Sequence, residues 1–230
     1  MYKYIKVSPV TITIPVLPFL SVVLGASLLF WVVTPILSFA ATYDRNQFVS
    51  PLAPDTQVVA AEETVDYSKV SNWLPKVQEK QATPAVNTYF LSIPKLGIYR
   101  AKVRIGTDDL SQNLIHYGGT GLPGKPGNSV IFGHSVLPAF FDPENYLTIF
   151  SLLPTLKEGD DIFVHYDGVD YRYQVIGERV TDPTDVSGLE QQYDDSYVTL
   201  VTCVPPGTYW KRLWLKLQLK PFGDKVATKL

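Results

Sequence analysis

Ser196-Tyr197-Val198-Thr199-Leu200-Val201-Thr202-Cys203, the loop Val204-Pro205-Pro206-Gly207-Thr208-Tyr209 and the run from Lys211 to Lys220 decide how this chain folds. The first stretch is rich in Tyr, Val and Thr, types that suit a pleated, half-buried surface. The last alternates strictly: Leu213, Leu215, Leu217 and Leu219 share one face, while Arg212, Trp214, Lys216, Gln218 and Lys220 share the other. A period of two marks a strand with one buried face. If the two strands pair across the loop, Arg212 stands off the core near the strand end that carries Cys203. That residue is the single cysteine of a 230-residue chain. A thiol where a strand gives way to a loop, beside a fixed positive charge, is a candidate nucleophile, and the pair suits an anionic reaction centre.

Working outward, short extended runs alternate with turn signals at Tyr89–Ile93, Ile98–Ile105, Asn128–Phe132, Asp161–Tyr166 and Asp170–Val180. Asp167-Gly168 is the sharpest hairpin signal, because both types accept the positive φ of a tight turn. Asp109–Leu114 and Tyr146–Leu153 read as short helices. The pattern is mainly β and antiparallel, and a small closed barrel with a few short helices across its openings accommodates it. One cysteine cannot form an internal disulfide, so the domain must rest on its core.

The N-terminal part is different. Pro15 to Ala41 is uncharged and largely apolar, long enough at about 1.5 Å per residue to cross a bilayer. Lys3 and Lys6 precede it and Asp44 and Arg45 follow, which by the positive-inside tendency leaves residues 1–14 in the cytoplasm and everything after the span outside. Ser38-Phe39-Ala40 ends in small residues, so a cleaved signal peptide is the alternative to an anchor; either gives an extracytoplasmic domain. Residues 42–87 are mixed in composition and read as a tether, with Val65 to Gln81 able to form a short helix or a lid over the groove. Residues 88–222 carry the domain and 223–230 a tail.

Composition narrows the partners. The 22 acidic and 20 basic residues nearly cancel, and no basic stripe is present to neutralise phosphates, so nucleic acid is excluded as a natural partner. One Cys and three dispersed His residues make no zinc pattern. Asp108, Asp109, Asp182, Asp185, Glu190, Asp194 and Asp195 lack the tight spacing of a calcium loop. The glycines of Gly118 to Gly127 lack the Gly-Lys-Ser/Thr ending of a phosphate cradle and read as turns. No metal and no cofactor is expected.

An ordinary thiol is only about 3% thiolate at pH 7, so Cys203 needs a partner that manages protons. His134 ends the strand-like Val130-Ile131-Phe132-Gly133-His134, where a base is held rigidly yet faces solvent. His116, before a glycine-rich turn, and His165, in the Asp167-Gly168 hairpin, compete with it.

Four segments carry a family resemblance. Thr199-Leu200-Val201-Thr202-Cys203 matches the Thr-Leu-Xaa-Thr-Cys signature of the sortases, and Arg212 falls where that family keeps its essential arginine. Leu122-Pro123-Gly124-Lys125-Pro126-Gly127-Asn128-Ser129-Val130-Ile131-Phe132-Gly133-His134 resembles its Leu-Pro-Gly-x-x-Gly-Asn-x-x-Ile-x-Gly-His block. Leu91-Ser92-Ile93-Pro94-Lys95-Leu96-Gly97-Ile98 is similar to its first strand. Ser135 departs from the pattern, since many sortases have arginine there.

The resemblance implies the sortase β-barrel and a membrane-anchored cysteine transpeptidase. Cys203 would cleave a Leu-Pro-Xaa-Thr-Gly-like sorting signal of a secreted protein after Thr and hold the protein as a thioester. It would then pass it to an amine of a cell-wall precursor or of a pilin lysine. His134 would move the protons, Arg212 would steady the oxyanion and Thr202 would contact substrate. Sortases that polymerise pilins often carry a lid with an Asp-Pro-aromatic plug, and Asn72-Trp73-Leu74-Pro75 matches that plug only loosely. Two other classes stay open from the residues: an extracytoplasmic cysteine peptidase, and a membrane-tethered β-barrel that binds proteins without catalysis.

Overall fold

The computed structural model describes residues 16–42, 66–73 and 86–222, in two compact units, one within residues 1–45 and the other within 46–230. The first unit contributes helix α1 (Val16–Thr42), 27 residues without an acidic or basic side chain at either end. Its stretch Leu20–Ser38 has a mean hydropathy of 2.2, and by length and composition it is a candidate membrane span. The hydroxyls of Ser21, Ser27 and Thr34 are donated to the carbonyls of Pro18, Val23 and Phe30, so none of the three is left unpaired against an apolar surrounding.

The second unit is a closed eight-stranded barrel. Its strands are β1 (Thr88–Ile93), β2 (Ile98–Ile105), β3 (Leu114–His116), β4 (Gly127–Phe132), β5 (Asp161–Tyr166), β6 (Val169–Thr181), β7 (Ser196–Val204) and β8 (Lys211–Lys220). Around the barrel they run β1-β2-β3-β4-β7-β8-β6-β5, with β5 returning to β1. Seven of the eight coincide within a residue or so with the extended runs read from sequence. β3 does not, because three residues are too few to display a period. Most seams are antiparallel, as expected, but β2 with β3 and β4 with β7 pair in parallel.

Alternation along the strands fills the barrel with Leu91, Ile93, Ile98, Val103, Leu114, Ile131, Val164, Val198, Leu200, Leu213, Leu215 and Leu217, none of which retains accessible surface. Asp167 and Gly168 turn β5 into β6 with φ of 52° and 75°, the double left-handed turn that the dipeptide signalled.

The two expected helices are absent. Asp109–Leu114 and Tyr146–Leu153 form turns, in which Asp109 Oδ1 accepts from Ser111 N at 2.8 Å and Asn145 Oδ1 from Leu147 N at 3.0 Å. Segments this short cannot recover the cost of helix nucleation, and these side-chain bonds offer the backbone another partner. Of Val65 to Gln81, only Asp66–Trp73 is described; it holds one 310 turn, Val70–Asn72, and the rest of that range lies outside the described residues.

One buried histidine belongs to the scaffold. His116, on β3, lies 2.8 Å through Nδ1 from Tyr89 Oη and 3.0 Å through Nε2 from Thr120 Oγ1, and burial pulls its pKa down to about 4. The unfolded chain therefore binds a proton between about pH 6.5 and 4 that the folded chain refuses. Stability is expected to fall across that interval with a slope approaching about 1.4 kcal/mol per pH unit from this group. His116→Gln, which cannot take up that proton, should flatten the slope in denaturant unfolding measured at several pH values; an unchanged slope would remove the assignment.

Candidate active site

The parallel seam sets one half of the site. β4 and β7 run in register from Gly127↔Ser196 to Phe132↔Val201, and Gly133 N donates once more to Val201 O at 3.0 Å. Only glycine fits at 133, because a Cβ there would lie 2.3 Å from the Phe150 ring. His134 follows directly. On the other side of β7 the antiparallel pairing with β8 places Cys203 opposite Arg212. The chain thus brings His134, Cys203 and Arg212 to one end of three adjacent strands.

Arg212 Nη1 lies 3.4 Å from Cys203 Sγ and also donates to the carbonyls of Tyr209 and Lys211, both at 3.3 Å. The sequence pattern put this guanidinium off the core, facing outward. It does leave the barrel interior, but it is only 1% exposed. The reason is a second layer on that face: Val70 and Trp73 join Leu110, Ile115, Val130, Phe132, Val201, Cys203 and Trp214 in one apolar cluster. The Arg212 guanidinium sits 4.9 Å from the centre of the Trp73 ring, and the His134 ring meets the same indole edge-on at 6.3 Å. Trp73 therefore stands over all three groups.

The covering segment is fastened on both flanks. Trp73 Nε1 donates to Tyr67 O at 2.7 Å, and Tyr67 stacks on Tyr209 at 3.9 Å. The Asp108 carboxylate takes Ser71 N at 2.6 Å and Ser71 Oγ at 2.8 Å, while Leu110 N reaches Ser68 O at 2.8 Å. Trp73 and Pro75 were the visible trace of this cover in the sequence, but Tyr67, Asp108 and Tyr209 carried no motif.

Burial dictates the charge states under the cover. It pushes the Cys203 thiol up to about 11, against the pull of Arg212, and draws His134 below the usual imidazole value, against the backbone of Leu147 and Ser135. Both groups are neutral at pH 7 in this arrangement. Arg212 stays charged with no carboxylate paired to it among the described residues, and its Nε and His134 Nδ1 are buried without a hydrogen-bond partner. Burying unpaired polarity costs stability, so a site holding it in reserve is built for a group that arrives later.

The other candidates are placed elsewhere. His165 pairs with Asp170 at 2.7 Å in the β5–β6 hairpin, and His116 is committed to Tyr89 and Thr120. Thr202, expected to touch substrate, has its side chain turned by the strand alternation to the face opposite Cys203; it is fully buried and its hydroxyl is donated to Gly133 O at 2.8 Å. Sequence reasoning passed over Ser135 as a partner of the nucleophile's strand, yet its Oγ donates to Cys203 O at 2.9 Å. Among the described residues no group of three or more His, Cys, Asp or Glu side chains is placed to hold a metal ion.

Residues 91–219, more than half of the chain, match the sortase domain. The chain belongs to the sortase family. It is 26% identical over 117 residues to sortase D of Bacillus subtilis (strain 168), a match that spans 50% of this chain and 53% of that one; the chain thus covers about half the length of that curated relative. The structure is similar to a sortase D5 transpeptidase from Clostridium perfringens, with a TM-score of 0.50, 26% identity and coverage of 59% of this chain and 79% of the other. It is similar as well to a lid mutant of sortase A from Corynebacterium diphtheriae, with a TM-score of 0.52, 28% identity and coverage of 63% and 76%.

Removing the indole should admit water and relax the thiol. Trp73→Ala is expected to speed alkylation of Cys203 at pH 8 about tenfold or more and to move its alkylation midpoint below about 11. Arg212→Met should move the midpoint the other way, since the guanidinium favours the thiolate. Iodoacetamide rates read by intact mass against pH check both, and the single cysteine makes the readout unambiguous.

Proposed function

We propose that this sortase is a cysteine transpeptidase that cleaves a Leu-Pro-Xaa-Thr-Gly-like sorting signal after Thr. The observation that carries the reading is the convergence of Cys203, His134 and Arg212 beneath the Trp73 indole, on a family scaffold. Once uncovered, the Cys203 thiol passes its proton to His134, and Sγ attacks the Thr carbonyl as thiolate. The oxyanion that forms is met by Arg212, whose charge has no carboxylate paired to it among the described residues. Collapse breaks the Thr–Gly bond, His134 gives its proton to the departing amine, and the protein remains as a thioester on Cys203. An incoming amine then attacks the thioester, His134 takes its proton, and the thiolate leaves. That amine belongs to a cell-wall precursor or to a pilin lysine.

Within this reading, residues 66–73 are a lid. The covered state holds a neutral thiol and a neutral imidazole, which suits storage and not attack, so the substrate must displace Trp73 before chemistry begins. A matched sortase A from Corynebacterium diphtheriae is itself described as a lid mutant, which supports a lid here. Thr202 enters this reading through its side-chain hydroxyl, which is donated to the Gly133 carbonyl, and not as a direct substrate contact. α1 anchors the enzyme in the cell membrane as a single pass, and the catalytic domain acts on the extracytoplasmic side.

Incubating the full chain with a peptide bearing the sorting motif should yield a thioacyl adduct by intact mass, and with oligoglycine an amine-capped product. Cys203→Ala should give neither, and His134→Ala or Arg212→Ala should lower turnover about 100-fold or more. A product carrying water alone would make the protein a peptidase. Binding that persists with no adduct and no product would make it a binding module.

A further inference from the structure

The backbone ladder between β4 and β7 ends just short of the residues that matter. Its final registered pair is Phe132↔Val201, followed by the single bond from Gly133 N to Val201 O. Beyond Phe132 the chain leaves the strand conformation, and residues 133 to 137 belong to no regular element. The backbone ladder therefore stops before it reaches the level of His134 and Cys203.

Two hydroxyls take over where the ladder stops. Thr202 Oγ1 donates to Gly133 O at 2.8 Å, from β7 to the β4 side, and Ser135 Oγ donates to Cys203 O at 2.9 Å, in the reverse direction. These bonds flank His134 on its two chain neighbours and land on the two consecutive residues Thr202 and Cys203. Both donors are buried, Thr202 completely and Ser135 to 3% exposure, so neither bond competes with water. The far side of the same loop is tied down separately: Phe150 N donates to His134 O at 3.1 Å and Val136 N to Ser151 Oγ at 2.9 Å.

We propose that Ser135 is a positioning residue, whose buried hydroxyl, with Thr202 as its reciprocal partner, holds the His134 backbone in register with Cys203 after the strand pairing has ended. The inference rests on the reading of Cys203 and His134 as the reacting pair. Ser135 stands where the resemblance places arginine in many sortases. A hydroxyl at 135 contributes what an aliphatic or a long cationic side chain cannot: a short donor that reaches a backbone carbonyl one strand away without leaving the core.

Loss of that bond is expected to leave the barrel folded and to degrade alignment, for which displacements near 1 Å can cost about 100-fold in rate. Ser135→Ala in the full chain should lower kcat for transfer of a sorting-motif peptide about tenfold with KM within about twofold, and should displace the pH profile of kcat/KM. Thr202→Val, which keeps the shape and removes the hydroxyl, should act in the same direction, while Thr202→Ser should retain most of the rate. If Ser135→Ala lowers Tm alone, with kcat and pH profile as in the parent, the residue is merely structural and the inference falls. It falls equally if Thr202→Ser is as damaging as Thr202→Val. Should Cys203→Ala still form product, the reading of the reacting pair fails instead, whatever Ser135→Ala does.

Discussion

The parallel pairing of β4 with β7 is the constraint on which the rest depends. The residues that end these two strands are far apart in the chain, and the register from Gly127↔Ser196 to Phe132↔Val201 brings them to the same end of the barrel, where the Thr202 and Ser135 hydroxyls continue it. A slip of one residue would turn Cys203 into the barrel and bring Thr202 outward, because successive side chains alternate faces. The β7–β8 pairing then adds Arg212 opposite Cys203. Burial favours both registers: the interior faces of β7 and β8 are filled by Val198, Leu200, Leu213, Leu215 and Leu217 without accessible surface, and a one-residue slip would turn them out of the barrel.

On the outer face of the same strands the physics reverses. A guanidinium without a carboxylate and an imidazole nitrogen without a partner among the described residues, and a thiol pushed up to about 11, are all costly to bury. What offsets the cost is the covering segment. Trp73 gives the guanidinium a π face at 4.9 Å and encloses the cluster, while Ser71 and the Asp108 carboxylate hold the segment at its polar margin. Contacts from the segment that carries Trp73, and not from the barrel interior, thus enclose these polar groups.

Hydroxyls act as the fine adjustment. Thr199 Oγ1 donates to Asn128 Oδ1 at 2.7 Å lower in the seam, Thr202 and Ser135 cross it at the top, and Thr120 Oγ1 ties His116 to the turn before β4. The Thr202 and Ser135 bonds give partners to backbone carbonyls beyond the end of the ladder, while the Thr199 and Thr120 bonds join side chains.

Strand periodicity and the Asp167-Gly168 turn were enough to read seven of eight strands, and the Cys203, Arg212 and His134 segments were enough to read the family, because both are local patterns written in consecutive residues. β3 was too short to show a period, and the segments Asp109–Leu114 and Tyr146–Leu153 were read as helices because side-chain bonds from Asp109 and Asn145 leave no trace in hydrophobic spacing. Residue type by itself determined that there is one thiol, one cation nine positions on, and a histidine at a strand end. Tertiary structure alone decided that the thiol and the cation meet at 3.4 Å, that Trp73 lies over them, and that Ser135 reaches back to Cys203. Those contacts join residues remote in sequence through strand register and closure of the barrel, and no local period encodes a partner on another strand.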